Sequence, residues 1–254
     1  MQVIKLVLFF LTPLFLVSQT SRNYSNEFLN IGVDAAALGM SNAVVATTSD
    51  VNSGYWNPAG LVNIEDNQLA LMHSSYFANI ANYNYIAYAM PIDDRSAVAI
   101  SVIRFGVDDI LDTTQLIDDQ GNINYDRINK FSTADYGVTL SYARQLPIDG
   151  LNYGINAKVI RRVIGDFATA WGFGFDAGIQ FESKNDWKFG FMARDITTTY
   201  NSWAIDEEQF EKISGAIDGQ NQTLPEKSEL TLPKLELGIS KLWTFHYDYM
   251  LSYI

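Results

Sequence analysis

Apolar side chains recur at every second position along most of this chain of 254 residues, and this alternation limits the possible folds more than any other feature. The clearest case runs from residue 171 to residue 182. Its apolar positions are Trp171, Phe173, Phe175, Ala177, Ile179 and Phe181, and small or charged residues lie between them. Because successive side chains of a β-strand point to opposite faces, the pattern predicts strands with one apolar face and one polar face.

Nine segments after residue 65 fit this pattern. They are 68–77, 82–91, 95–105, 135–146, 151–163, 170–182, 187–196, 233–243 and 245–254. Short turns join most of them, whereas 106–130 and 199–232 are long polar connections. Strands of about 9–11 residues, with short turns at one end and long loops at the other, are typical of an outer-membrane β-barrel. Aromatic residues near the strand ends predict two interfacial girdles, formed by Phe77, Tyr83, Trp171, Phe181, Trp187, Trp203 and Trp243.

A secreted β-sandwich would also alternate apolar and polar residues. Two features favour the barrel: the polar face is rich in glycine and charged residues, as in a lumen, and the apolar face carries aromatic residues along whole strands, as toward lipid. We therefore predict an all-β fold, with a transmembrane β-barrel over residues 66–254. Nine is an odd number and bacterial barrels have an even one, so we expect the C-terminal strands of the barrel to be missing from this sequence.

Residues 1–20 have the organisation of a secretory signal peptide. Lys5 precedes an apolar run from residue 6 to residue 17, and small polar residues follow it. The run is shorter than the roughly 20 residues that a membrane helix needs. We therefore predict export through the inner membrane and a final location in the outer membrane.

Composition excludes several classes of function. The formal net charge of −12 repels phosphate backbones, which argues against nucleic acid as a partner. The chain has no cysteine, and its two histidines, His73 and His246, cannot form a multi-histidine metal site. No nucleophile motif occurs, so we expect no enzyme, no cofactor and no metal. The loop 118–126 carries acidic residues that could bind Ca²⁺, but the spacing of Gly121 does not match an EF-hand, and a solvated turn fits better.

Residues 21–65 do not alternate and form a separate N-terminal segment. Asp34 precedes three alanines and is a candidate helix N-cap, with Gly39 near the helix end. Asn57 is a second candidate cap, with Pro58 in the first turn of a short helix that would end at Gly60. Composition leaves two interpretations open, a plug folded into the barrel mouth and an ordinary periplasmic cap.

The same segment resembles a known family. Its residues 32–43, followed by 46–50 and by Tyr-Trp-Asn-Pro-Ala-Gly-Leu at 55–61, are similar to the N-terminus of the PorV/PorQ family. Proteins of that family are outer-membrane barrels of the type IX secretion system of Bacteroidota and are related to the FadL fatty-acid transporters. The hatch motif of the FadL proteins resembles Asn57, Pro58, Ala59 and Gly60 in this sequence.

The resemblance implies a FadL-like barrel of fourteen strands with the N-terminal segment in its lumen. It also implies partners: type IX secretion components, outer-membrane lipids and the C-terminal signal domains of secreted cargo. PorV-type members pass cargo to the attachment machinery at the cell surface, whereas PorQ-type members partner a surface component.

Charged residues at inward positions predict a polar network in the lumen, formed by Lys158, Asp176, Glu182 and Arg194. Buried charges usually pair, so this network would hold the N-terminal segment or, equally, line a water-filled channel. The alternative function is a FadL-like outer-membrane channel for hydrophobic small molecules. Such a channel needs a continuous apolar pocket behind the hatch, and the polar, glycine-rich inward positions favour the secretion role.

Overall fold

The computed structural model describes residues 25–117, 120–208, 227–245 and 249–253, and the predicted signal peptide lies outside them. The described part begins with a segment of short helices. These are a 3-10 helix Glu27–Asn30, α-helices Ala35–Gly39 and Ser53–Trp56, and a 3-10 helix Pro58–Asn63. A further 3-10 helix, Tyr125–Arg127, lies between two strands. The described helices are all too short to span a membrane.

Within the described residues, eleven strand segments follow the N-terminal segment and form one antiparallel sheet. They are β1 (Gln68–Tyr76), β2 (Ala81–Asp93), β3 (Ser96–Asp112), β4 (Asn129–Gln145), β5 (Leu151–Ile164), β6 (Ala168–Glu182), β7 (Trp187–Arg194), β8 (Thr199–Ile205), β9 (Ser228–Thr231), β10 (Lys234–Phe245) and β11 (Tyr249–Tyr253). The strand order is β1-β2-β3-β4-β5-β6-β7-β10-β11, and the sheet curls into a half-barrel.

The eleven segments occupy nine positions in the sheet, which is the number of strands predicted from the sequence. β7 and β8 both pair with β6, at Ala177↔Ala193 and Phe173↔Tyr200, and are therefore two halves of one long strand. β10 pairs with β7, and β9 pairs with β8. β9 and β10 are therefore also two halves of one strand position in the sheet. The interruption between β7 and β8 is a bulge of four residues, 195–198.

The apolar side chains of the strands lie on the outer face of the sheet, as expected for a protein in lipid. The large apolar side chains of β6 are exposed, and Phe173 retains 60% of its accessible surface. The residues between them, including Asp176 and Gln180, are buried under the N-terminal segment. In a water-soluble sandwich the apolar faces would meet each other, so this arrangement contradicts that alternative.

The hydrophobic core lies between the N-terminal segment and the inner face of the first strands. Phe28, Trp56 and Leu61 of the segment pack in one cluster with Tyr83 and Ile103 of the sheet. Tyr83 is therefore fully buried and does not belong to an interfacial girdle, contrary to the prediction. Trp203 is also buried, on the inner face of β8, because it has the same parity as the inward residues Thr199 and Asn201.

The long connections are shorter than the sequence predicted. β3 continues to Asp112, and β4 already begins at Asn129, so the first connection is 113–128. β8 and β9 occupy both ends of the second, which leaves 206–227. The register of β3 and β4 shifts between Val107 and Ile110, and such a shift interrupts the two-residue period on which the prediction depended. Both connections leave the same end of the sheet, here called the loop end; the turns 94–95, 146–150 and 183–186 lie at the opposite, turn end.

Candidate functional site

The inner face of the sheet and the N-terminal segment together form the candidate site. The segment crosses this face from the loop end to the turn end. At its start, Asn201 donates to Ser25, with 2.6 Å between the side-chain nitrogen and oxygen. Near its other end, the backbone amide of Val51 donates to Gln68 at the start of β1, at 2.9 Å.

Glycines of the inner face allow the backbone of the segment to lie directly against the strands. A Cβ atom added to Gly154 would collide with the backbone of Pro58, and one added to Gly190 would collide with the carbonyl of Val45. Three further inner-face glycines approach the segment closely: Gly137, Gly178 and Gly238. These inner-face glycines, which suggested a lumen in the sequence, form a surface without side chains, here called the glycine wall. The N-terminal segment packs directly against it.

Asn57 is the residue of the hatch motif with the most contacts to this wall. It is fully buried, and its Oδ1 accepts a hydrogen bond from the Ala59 amide at 3.2 Å, which makes it the N-cap of the 3-10 helix Pro58–Asn63. Its Nδ2 lies 2.9 Å from the carbonyl oxygen of Val45, 3.1 Å from that of Ile179 and 3.4 Å from that of Phe191. One amide side chain thus joins two parts of the segment to β6 and β7.

The other three residues of the motif are also buried. Pro58 is the first residue of the 3-10 helix, as predicted, but the helix continues past Gly60 to Asn63. Ala59 is fully buried. A Cβ atom on Gly60 would collide with the carbonyl oxygen of Thr48, so this position accepts only glycine without rearrangement.

Two aromatic residues before the motif form hydrogen bonds with earlier residues of the N-terminal segment. Tyr55 donates its hydroxyl proton to the carbonyl of Leu29 at 2.8 Å and accepts from the amide of Gly32 at 3.0 Å. Burial raises the pKa of the Tyr55 phenol, so the proton needed for the first bond is retained. Trp56 donates its indole N–H to the carbonyl of Val33 at 3.1 Å.

A buried ionic cluster lies on the inner face behind the bulge between β7 and β8. The Nζ atom of Lys158 is 2.7 Å from Asp176 and 2.5 Å from Asp195. Asp195 also accepts from the Thr199 hydroxyl at 2.5 Å, and its amide donates to Asp176 at 2.9 Å. Asn156 connects this cluster to the segment, because its Nδ2 donates to Asp176 and to the carbonyl of Gly54.

The remaining two residues of the predicted network lie elsewhere. Arg194 pairs with Glu236 at 2.8 Å, and its guanidinium lies 5.1 Å from the centroid of the Tyr55 ring. Glu182 is exposed at the turn end and pairs with Lys188 at 3.2 Å, so it takes no part in the buried cluster. The prediction failed for Glu182 because inward parity continues to the end of β6, whereas burial by the segment does not.

A second polar cluster holds the start of the segment at the loop end. Arg162 pairs with Asp135 at 2.9 Å and with Glu229 at 3.0 Å. Glu229 accepts from the Ser25 hydroxyl at 3.0 Å, and Asn26 donates to Thr231 at 2.9 Å. The contacts of Ser25 and Asn26 could not be predicted, because their partners are 204 and 205 residues away and carry no motif.

Among the described residues, no group of three or more His, Asp or Glu side chains is placed to hold a metal ion. His73 lies on the outer face, where Nδ1 is 2.8 Å from Asn84. Of the acidic loop, Asp118 and Asp119 lie outside the described residues, and Asp126 is exposed.

Comparison with known protein families gives a match over most of the chain. The family model for type IX secretion system protein PorV matches residues 18–211, which include the N-terminal segment and the strands β1–β8. A search of curated proteins finds no match to this chain.

Proposed function

Because the chain belongs to the PorV family of type IX secretion system proteins, we propose that it is an outer-membrane β-barrel that binds the C-terminal signal domains of secreted cargo. It would then pass the cargo to the attachment machinery at the cell surface. The proposal includes a FadL-like barrel of fourteen strands, of which this sequence contributes nine positions, and export by the signal peptide at residues 1–20.

The observation that carries the proposal is the arrangement of the two faces of the sheet. The outer face presents exposed aromatic and aliphatic side chains. The N-terminal segment covers the inner face, which has a hydrophobic core on the first strands and buried polar residues on β5 to β8. Exposed apolar strands with a polar interior are the arrangement required in lipid. The surrounding outer-membrane lipids are accordingly the first partner.

The orientation follows from the connections. Outer-membrane barrels have short turns on the periplasmic side and longer loops outside the cell. We therefore assign the loop end, with connections 113–128 and 206–227, to the cell surface, where cargo would be handed over. A PorQ-type role, in which the same end holds a surface component, is the other possibility within the family.

A channel for hydrophobic small molecules is the weaker alternative. The triplet Asn57-Pro58-Ala59 supports it, because the same triplet resembles the FadL hatch. Against it stands the inner face, where Lys158 and Asp176 lie in place of an apolar pocket and the N-terminal segment is held from both ends.

Affinity capture of the full-length protein from outer membranes tests the proposal directly. We expect secretion components and cargo C-terminal domains to be recovered with it. If no secretion component or cargo domain is recovered, and deletion reduces uptake of hydrophobic compounds, the channel function replaces the proposed one.

A reversible disulfide between the N-terminal segment and the sheet tests whether function requires the segment to move. A Cβ atom on Gly54 would lie 3.7 Å from the Cβ atom of Ala99 on β3, and disulfides span about 3.5–4.5 Å between these atoms. The chain has no cysteine, so the double variant Gly54→Cys/Ala99→Cys introduces a single bridge between segment and sheet. We expect cargo secretion to be the same in oxidised and reduced cells that carry it. Loss of function on oxidation, with recovery on reduction and no effect in either single variant, would show that the segment must move.

A further inference from the structure

A continuous row of polar and aromatic side chains, here called the polar row, crosses the outer face of the sheet near its loop end. Neighbouring residues in this row are directly paired in the sheet, strand by strand. The row consists of His73, Asn84, Arg104, Tyr136, Arg161, Trp171 and Ser202. Its members therefore lie side by side across seven strand segments, from β1 to β8.

The next outward row toward the turn end contains no charged residue. It consists of Leu71, Ile86, Val102, Val138, Val159, Phe173 and Tyr200. The change from one row to the next is the loop-side border of the apolar surface. Charged side chains are tolerated at such a border because they reach the headgroups of the lipid.

The charges in the polar row are basic, although the whole chain carries a net charge of −12. Arg104 and Arg161 flank Tyr136 on neighbouring strands. Strands in a sheet are about 4.8 Å apart, so the Cα atoms of the two arginines are about 10 Å apart. Both side chains are long enough to converge on one group above Tyr136.

Neither arginine has its donors fully used. The guanidinium of Arg161 lies 4.8 Å from the centroid of the Trp171 ring and forms no ion pair with the described residues. Arg104 uses Nη2 alone for its bonds to Asp108, at 3.0 and 3.3 Å, and also interacts with the Tyr136 hydroxyl. Arg161 is held against an aromatic ring without an acidic partner among the described residues, and it therefore leaves room for an anion from outside the protein.

From this geometry we infer that Arg104, Tyr136 and Arg161 form a binding site for the phosphate of an anionic lipid in the loop-side leaflet. Each guanidinium donates to the phosphate oxygens, and the acyl chains lie along the apolar row below. The inference rests on the membrane location in the proposed function, and it adds a specific headgroup site to that location.

Native mass spectrometry of the detergent-solubilised full-length protein tests the site, with phosphatidylglycerol as the probe and phosphatidylcholine as the comparison. We expect the double variant Arg104→Gln/Arg161→Gln to bind phosphatidylglycerol about tenfold more weakly, since each arginine near an anionic membrane surface contributes favourably. The variant Arg127→Gln removes one positive charge from an exposed loop arginine outside the row, and it is expected to bind like the natural protein. The variant Arg104→Lys/Arg161→Lys should retain most of the affinity.

Three results would overturn the inference. They are equal affinity in the double glutamine variant, an equal loss in Arg127→Gln, and equal binding of phosphatidylglycerol and phosphatidylcholine by the natural protein. Heat-dependent mobility on a denaturing gel checks that each variant is folded. A carbonate wash of vesicles that contain the natural protein tests the membrane location separately, so a failed location is distinguished from a failed headgroup site.

Discussion

Gly60 is a residue of the N-terminal segment that leaves no room for one added carbon atom. Its Cβ would collide with the Thr48 carbonyl and lie 2.8 Å from the Ser53 hydroxyl. Overpacking of this kind typically destabilises a protein by about 1–3 kcal/mol, and we expect Gly60→Ala to lower the free energy of unfolding by that amount. Urea titration of the refolded protein in detergent, followed by tryptophan fluorescence, measures the change.

Gly39 provides the matched control for Gly60. It ends the helix Ala35–Gly39, and an added Cβ would meet nothing within 4 Å. Alanine is favoured over glycine in helices by about 1 kcal/mol, so Gly39→Ala is expected to be neutral or slightly stabilising. Equal losses in both variants would mean that the segment is not packed as described.

The caps of the segment could be predicted from the sequence, and their distant contacts could not. Asp34 accepts from the amides of Ala36 and Ala37, and Asn57 accepts from the amide of Ala59, as local spacing predicts. The other bonds of Asn57 go to carbonyls of β6 and β7, more than a hundred residues away. Nothing in a local pattern indicates which distant strand a buried amide will meet.

At the level of the elements, Lys158 is the cation that joins β5, β6 and the bulge after β7 in one buried cluster. Removing one partner of a buried ion pair costs about 3–5 kcal/mol, since an unpaired charge remains. We expect Lys158→Ala to approach this loss, because both Asp176 and Asp195 would lose their cation. The midpoint of urea unfolding in detergent measures it.

Lys188 supplies the exposed counterpart of that experiment. Its pair with Glu182 joins β6 and β7 at the turn end, with side chains 39% and 54% exposed. Surface pairs contribute about 0–1 kcal/mol, so Lys188→Ala should leave the midpoint nearly unchanged. A large loss here and a small loss for Lys158→Ala would contradict the assignment of the buried cluster.

The two-residue period of the strands predicted two of the three charged residues of the buried cluster, Lys158 and Asp176, and missed the third, Asp195. Lys158 and Asp176 have inward parity on β5 and β6, and the structure brings them into contact. Asp195 lies in the bulge between β7 and β8, where the two-residue period is lost. Because a bulge re-aims side chains without a sequence signature of its own, Asp195 could be identified only from the structure.

For the molecule as a whole, the outer face distinguishes a membrane protein from a water-soluble one. Phe175 on β6 and Ile148 in the turn after β4 have similar exposed fractions, 52% and 57%. A lysine near the bilayer midplane costs about 2–4 kcal/mol, and close to the interface much less. We therefore expect Phe175→Lys to reduce folding into lipid vesicles strongly and Ile148→Lys to reduce it little.

The yield of heat-modifiable, folded protein on a denaturing gel measures this difference. In water the two substitutions would be equally tolerated, because both side chains are exposed. Equal yields of the two variants in vesicles would therefore contradict the membrane assignment, on which the headgroup site depends.

The path of the N-terminal segment also sets the sequence of events during biogenesis. Ser25 and Asn26 are among the earliest described residues to leave the ribosome. Yet the Ser25 carbonyl and the Asn26 side chain bind Thr231, which is synthesised about two hundred residues later. The glycine wall that receives the segment exists only after β4 to β10 have paired. Contacts this distant in sequence form slowly, so the first part of the chain has to wait, without its final partners, until the curved sheet is built. Docking of the segment therefore comes after pairing of β4 to β10 and is a late step in folding.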